Sequence, residues 1–382
     1  MNFSLSEAQE AVRDLAEQIF TGGAPMERVA SIETTDERVD RDLWRALADA
    51  GLLGIVVPED HGGAGLDLIE ACLILEQQGR RVAPVPLWPT LVGALALAAH
   101  GTPAQQAAHL PGVAAGDVML TAALAEAGAG DVLEPSVTAV ADGDGWRLDG
   151  TRPSVPAAHV AGMVLVPARL PSADATDATD TGGAEPTTGV FLVDPGGPGV
   201  TCTPAVTTDR SVVAHLELAG APGEALGGEP DPRVLAWLRD RALLALCALQ
   251  VGVAEGALRM AADYTSQRHQ FGKPLSTFQG VALRAADAYI DTEAMRVTLW
   301  QAAWRLTAGL EATREVMVAK WWSAEGGQRV VHATQHLHGG MGADVDYPVH
   351  RYFLWGKQLE ITLGGASATL ARLGRAIAKS RT

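Results

Sequence analysis

The sequence predicts a mostly α chain with a β middle: an N-terminal helical domain, an antiparallel β domain and a C-terminal four-helix bundle. Three observations carry that prediction. Over residues 1–116, apolar residues recur at helical spacing. Over 117–228, short apolar runs such as VMLTAAL, SVTAV, GVFLV and VVAHLEL alternate with turn residues. Over 229–382 the helical period returns in four long segments, 234–267, 277–308, 313–338 and 349–378, joined by short links as in a bundle.

Each part has local punctuation. Leu5, Val12, Leu15 and Ile19 form a helical stripe behind Ser4 or Ser6, either of which can cap it. Asp40 can cap RDLWRALADAG, and Gly51 fits its C-terminal end. A glycine-rich loop, GIVVPEDHGGAGLD, precedes a helical stretch over 66–78 and a Pro-rich connector over 82–89. An alanine-rich helix follows and is expected to break near Pro111-Gly112. In the β part, Asp142-Gly143 and Asp144-Gly145 lie between two strand-like runs and signal a hairpin. Residues 171–188 hold almost nothing apolar to bury and are expected to form a mobile surface loop. In the last part, breaks fall at Gly272-Lys273-Pro274, Gly309 and the glycines of 339–342.

Composition narrows the function. The chain has 382 residues, 47% of them apolar and 19% charged, enough for a buried core. Its net charge of -16 opposes nucleic-acid binding, which needs a basic footprint. Cys72, Cys202 and Cys247 are too few and too scattered for a disulfide framework or a zinc site, and suit a reducing compartment. The opening stretch lacks the basic and apolar regions of a signal peptide. The longest uncharged apolar run, Ala242–Ala254, falls short of the roughly 20 residues of a membrane span. A soluble cytoplasmic protein without a membrane span is expected.

Two segments carry chemistry. In YTSQRHQFGKPLSTFQGV, Arg268 ends a long helix just before Phe271-Gly272, where a guanidinium can hold a diphosphate and an aromatic can pack on a ring. In HLHGGMGADVDYPVHRYFLWGKQLEITLGGASATLARLGR, Gly339-Gly340 permits close approach of a bulky ligand. Either segment alone is equally well read as a helix end, with a solvated arginine and capping glycines.

Together and in this order, these segments resemble the acyl-CoA dehydrogenase family. FSLSEAQEAVRDLAEQ, WRALADAGLLGIVVPEDHGGAG, the DGDGWRLDG hairpin, RHQFGKPLSTFQ and HGGMG extend the resemblance over essentially the whole chain. The resemblance implies FAD as cofactor and an acyl-CoA as substrate, with electron-transfer flavoprotein as electron acceptor. It implies that Arg268, Phe271, Phe278 and Gln279 approach the FAD of a neighbouring subunit. The family's Q-x-x-G-G segment reads His336-Leu337-His338-Gly339-Gly340, with imidazole in place of the amide, so His336, Gly339 and Gly340 are expected at the same cofactor.

Other positions depart from the family. Its glutamate base, counted from the glycine pair, falls on Leu363; its alternative place on the preceding long helix falls on Ala242. Neither side chain can take a proton, so no catalytic residue is expected here. A threonine that would reach the flavin is Ala125, and the family's aromatic-Ile-Thr run is Ser154-Val155-Pro156. Groups for the chain's own flavin are lost, while groups for a neighbour's flavin remain. That asymmetry suggests the non-catalytic subunit of a heteromeric enzyme whose homologous partner carries the glutamate. The tail from Asp346 to Leu354, with Leu363 to Ala366, looks like the base-less subunit of actinobacterial heterotetramers that desaturate steroid side-chain CoA thioesters.

Three alternatives stay open at this point. A self-sufficient enzyme could use Glu255 or Glu360 as a non-standard base. A metal could sit on His332, His336 and His338, although the H-E-x-x-H pattern is missing and no metal site is expected. A purely structural role would leave Arg268 and the glycines as relics.

Overall fold

The computed structural model describes residues 3–128, 130–143, 145–171 and 187–379. Helices α1 (Glu7–Gly23), α2 (Met26–Ile32), α3 (Arg41–Asp49), α4 (Leu68–Arg81), α5 (Leu87–His100) and α6 (Pro103–Ala114) come first. Ser6 caps α1, with Gln9 answering in a reciprocal capping box. Asp40 caps α3 by accepting from the Leu43 N–H at 3.0 Å. The expected break near Pro111-Gly112 does not occur: Pro111 lies inside α6. The helix ends at Ala114, within a turn of Pro111, so only the Ala107 carbonyl goes without its helical donor.

Strands β1 (Leu120–Ala122), β2 (Thr138–Asp142), β3 (Gly145–Pro156), β4 (Met163–Arg169), β5 (Thr188–Val193), β6 (Val200–Val206) and β7 (Val212–Ala225) follow. β2 and β3 form the expected hairpin, with Asp142 opposite Gly145. The sheet runs β1-β4-β2-β3-β7-β5, and β5 also pairs with β4, so the sheet curls back on itself. Its long ladders are antiparallel; β1 and β2 meet β4 in parallel. Leu148, Val166, Phe191 and Leu216 fill the inside of this curl. Most of the expected mobile loop, 172–186, lies outside the described residues, and its last residue, Thr188, opens β5.

The C-terminal part is α7 (Pro232–Gln267), a two-stranded ribbon of β8 (His269–Gln270) and β9 (Lys273–Pro274), α8 (Gln279–Thr307), α9 (Thr313–Leu337), α10 (Val349–Ile361) and α11 (Ala366–Lys379). The single segment expected over 349–378 is two helices. Leu363 at φ 57° and Gly364 at φ 113° leave helical space and turn the chain between them.

α7 is the rod of the molecule. By length and composition it could cross a membrane, but 72% of its most apolar stretch is buried inside the protein. It crosses α4 where two glycines let the backbones touch. A Cβ on Gly252 would stand 2.0 Å from the Glu76 carbonyl oxygen, and one on Gly79 2.2 Å from that of Leu249.

Candidate functional site

The first site residues sit at the C-terminal end of α7. Arg268 leaves helical space at φ -77°, ψ 119°, while its N–H still reaches the Tyr264 carbonyl at 2.8 Å. The ribbon then reverses the chain through Phe271 and Gly272, at φ 53° and 79°. Two left-handed residues in a two-residue hairpin loop match the twist of the strands. Glycine takes this conformation freely; for phenylalanine it costs roughly 1–2 kcal/mol. The turn nevertheless holds Phe271 out into solvent, 91% exposed. The Leu275 N–H closes the base of the turn on the Arg268 carbonyl at 2.9 Å. Phe278 meets Phe271 edge-on at 6.1 Å, and the Lys273 ammonium lies 4.4 Å above its ring. Gln279 opens α8, exposed. Arg268, Phe271, Phe278 and Gln279 therefore share one knuckle at the end of α7.

The second group lies at the end of α9. His336 is exposed in the last turn. His338 is buried; its Nδ1 contacts the Thr334 carbonyl at 2.7 Å and its ring stacks on Tyr264 at 4.7 Å. Burial lowers the His338 pKa and favours the neutral ring. That stack joins the α9 end to the α7 end, one turn before Arg268. No protein atom lies within 4 Å of where a Cβ on Gly339 or Gly340 would stand, and Gly339 has φ 58°. The glycine pair thus borders free space, whereas at Gly342 a Cβ would be 2.4 Å from the Gln335 carbonyl. Among the described residues the Arg268 guanidinium is unpaired; with two aromatic rings and an open glycine surface, it makes a set that can contact a phosphate-bearing ligand. Sequence reasoning passed over Gln335, whose Nε2 donates to the Gly342 carbonyl and shapes the turn.

The third region is a cavity of about 490 Å³ between the β domain and the α10–α11 turn. Leu124, Ala125 and Gly128 line one side, Thr362, Leu363 and Gly364 the other, with Trp88, Leu246 and Leu359 also in its wall. Leu363 brings only hydrocarbon to it. Ala242 is fully buried one turn before Leu246 and is not part of the lining. Two acids line the cavity among the described residues, Glu126 and Asp209. Glu126 is paired with fully buried Arg152, and Asp209 accepts from the hydroxyls of Thr207 and Ser211 at 2.5 and 2.7 Å. Arg372 of α11 bridges the mouth: its Nε lies 3.1 Å from Asp131, and one terminal nitrogen donates to the Leu363 carbonyl at 3.3 Å. Ala125 and Ser154, the positions at which the family resemblance expects a hydroxyl and an aromatic, both line this cavity.

The remaining candidates fall elsewhere. Glu255 is held by Arg80 at 2.8 Å and Arg296 at 2.6 Å and is not in this cavity; Glu360 pairs with Lys357. His332 packs edge-on against Phe353. Among the described residues, no group of three or more His, Cys, Asp or Glu side chains could hold a metal. Lys320 had no sequence signal. It is buried in α9 and donates to the Leu359 and Glu360 carbonyls at 2.9 and 3.3 Å, tying down the end of α10. Burial pushes its pKa down to about 8.

Fold and site together define an FAD-dependent type of oxidoreductase domain. Residues 6–117 match the model of the acyl-CoA dehydrogenase N-terminal domain and residues 239–378 that of the C-terminal domain. The acyl-CoA dehydrogenase FadE27 of Mycobacterium tuberculosis is 40% identical over the full length of both chains. A solved Tcur3481-Tcur3483 steroid ACAD variant is 51% identical at a TM-score of 0.92, covering 99% of each chain. The ChsE4-ChsE5 complex from Mycobacterium tuberculosis is 39% identical at a TM-score of 0.89, again over 99% of each. The chain belongs to the acyl-CoA dehydrogenase family, whose members are FAD-dependent flavoproteins acting on CH–CH bonds.

Proposed function

We propose that this chain is the non-catalytic subunit of a heteromeric acyl-CoA dehydrogenase and completes the FAD site of a homologous partner. One observation carries the reading: backbone strain holds Phe271 91% exposed, beside an Arg268 whose side chain has no partner among the described residues. Its internal cavity offers hydrocarbon at Leu363 and acids already committed to partners. The partner supplies the glutamate that removes the α-proton. Bound FAD supplies the two-electron acceptor for α,β-desaturation of the CoA thioester. This chain's part is to bind and orient: Arg268 on the diphosphate, Phe271 and Phe278 against rings, Gln279, His336 and the Gly339-Gly340 edge along the adenosine half. The full-length similarity to a steroid ACAD and to a two-component complex supports a heteromer and a steroid side-chain CoA as substrate. The family resemblance supports electron-transfer flavoprotein as acceptor and a cytoplasmic setting.

The test is Arg268→Ala in the assembled complex. FAD affinity of the complex is expected to fall at least about tenfold, read as flavin lost on dilution, since a charge-assisted phosphate contact contributes about 1.5–3 kcal/mol. The melting temperature of the isolated chain should be unchanged, because Arg268 is exposed. Unchanged flavin occupancy sinks the reading. A second reading, a self-sufficient homomeric enzyme using a non-standard base, draws on the persistence of the 490 Å³ cavity. It requires near-stoichiometric FAD on the chain purified alone; the companion reading requires little or none.

A further inference from the structure

A separate cleft of about 520 Å³ opens between α1, the end of α4 and the second half of α7. Of the cofactor-facing residues, Arg268 alone lines it; Phe271, Phe278, Gln279, His336, Gly339 and Gly340 do not. Its volume lies in the range of small-molecule sites. Three kinds of group converge there. Arg81, Arg259 and Arg268 bring positive charge; Arg81 donates to the Thr21 hydroxyl at 2.9 Å, and the other two side chains make no hydrogen bond or ion pair among the described residues. Tyr264 and Tyr347 bring aromatic rings, 6.0 Å apart and edge-on. Glu17 and Asp263 bring carboxylates. Glu255, also in the lining, is already held by Arg80 and Arg296.

Helix ends account for part of this. Arg81 and Arg268 stand at helix C-termini, where cations are favoured without any ligand. Arg259 stands more than two turns before the end of α7, beyond the reach of that effect. Nor does a bare anion explain the lining, because Glu17 and Asp263 would repel it. A ligand carrying phosphates, sugar hydroxyls and a flat base suits all three groups at once.

The geometry points to a nucleotide site in this cleft. The arginines take the phosphates of a nucleoside di- or triphosphate, Glu17 and Asp263 accept hydrogen bonds from ribose hydroxyls, and the base packs on the outer side of the tyrosine pair. The same chemistry is carried by free ADP and by the adenosine-diphosphate half of a larger cofactor such as CoA. If the companion reading holds, Arg268 serves two ligands. A nucleotide here then draws Arg268 away from the partner's cofactor and lowers flavin occupancy of the complex.

Calorimetric titration of the full chain with ADP, CoA and inorganic pyrophosphate tests the site without any partner. ADP is expected to bind. Arg259→Ala should weaken it about tenfold or more, one lost charge-assisted contact. CoA binding more tightly than ADP, with the same loss in Arg259→Ala, assigns the site to the cofactor half; ADP binding more tightly assigns it to the free nucleotide. Both outcomes support the site. Absence of ADP binding at millimolar concentration, pyrophosphate binding as tightly as ADP, or indifference to Arg259→Ala overturns it. Arg259 is exposed, and an unchanged thermal melt shows that the variant is folded. ADP added to the flavin-loaded complex tests the coupling alone. Unchanged flavin occupancy there refutes the shared role of Arg268 while the site stands.

Discussion

The two ends of α7 have diverged in opposite directions. Toward its N-terminal half, the helix backs a cavity that Ala125 and Leu363 line with hydrocarbon, and whose acids among the described residues are tied to Arg152, Thr207 and Ser211. At its C-terminal end it carries a ribbon that keeps an arginine, two phenylalanines and a glutamine facing outward. Inside, side chains answer to the chain's own packing. Outside, the knuckle departs from what packing favours, with a phenyl ring in a left-handed turn.

The largest effect expected is on the rod that relates the two ends. Gly252→Val forces side-chain carbon into the Glu76 backbone, which cannot yield, so a loss of about 3 kcal/mol or more is expected, read as a lowered urea midpoint. If the variant is as stable as the parent, α4 does not fix α7 and the two ends are not rigidly related. The next concerns the cavity end. Lys320 has a folded pKa of about 8 against an ordinary value near 10.5. Between those values the unfolded chain holds more protons, so this lysine makes stability rise with pH from about 8 to 10.5. The swing is on the order of 3 kcal/mol, from 1.36 kcal/mol per pKa unit. Tyr352 and Cys247, whose pKa values burial pushes up to about 12 and about 11, pull the other way as their unfolded forms ionise. The difference between parent and Lys320→Met isolates the lysine: the variant's stability should fall relative to the parent as pH is raised through that window. A constant difference would show that Lys320 titrates normally.

The smallest effect sharpens the contrast most. Phe271→Gly removes a strained left-handed residue and should raise the stability of the isolated chain by about 1 kcal/mol. The same change should weaken association with the partner. Equal loss in both measurements would make Phe271 an ordinary structural residue.

Much of this was legible in the sequence, for identifiable reasons. The helix caps, the Asp-Gly hairpin signals and the long periods of α7 to α9 are local and survive in the structure. The Arg268 knuckle was legible because its motif is contiguous. The split between α10 and α11 was not, because Leu363 carries no intrinsic preference for positive φ; the glycines after it were the only hint. Pro111 misled because it interrupts the helical ladder only three residues before α6 ends anyway. Lys320, Arg259 and the Arg372 bridge were invisible, since each acts through partners distant in sequence.

The crossing of α4 and α7 also constrains the order in which the chain can fold. Arg80 and Glu255, which pair at that crossing, are 175 residues apart, and the whole β domain lies between them. The N-terminal helices therefore leave the ribosome with the α7-facing side of α4 uncovered, and wait for the β domain and most of α7 before they can bury it. Such long-range closure is slow. The Phe271 knuckle follows α7 but precedes α8 to α10, whose Leu299, Val330 and Trp355 belong to the same core, so it is synthesised before that core can close.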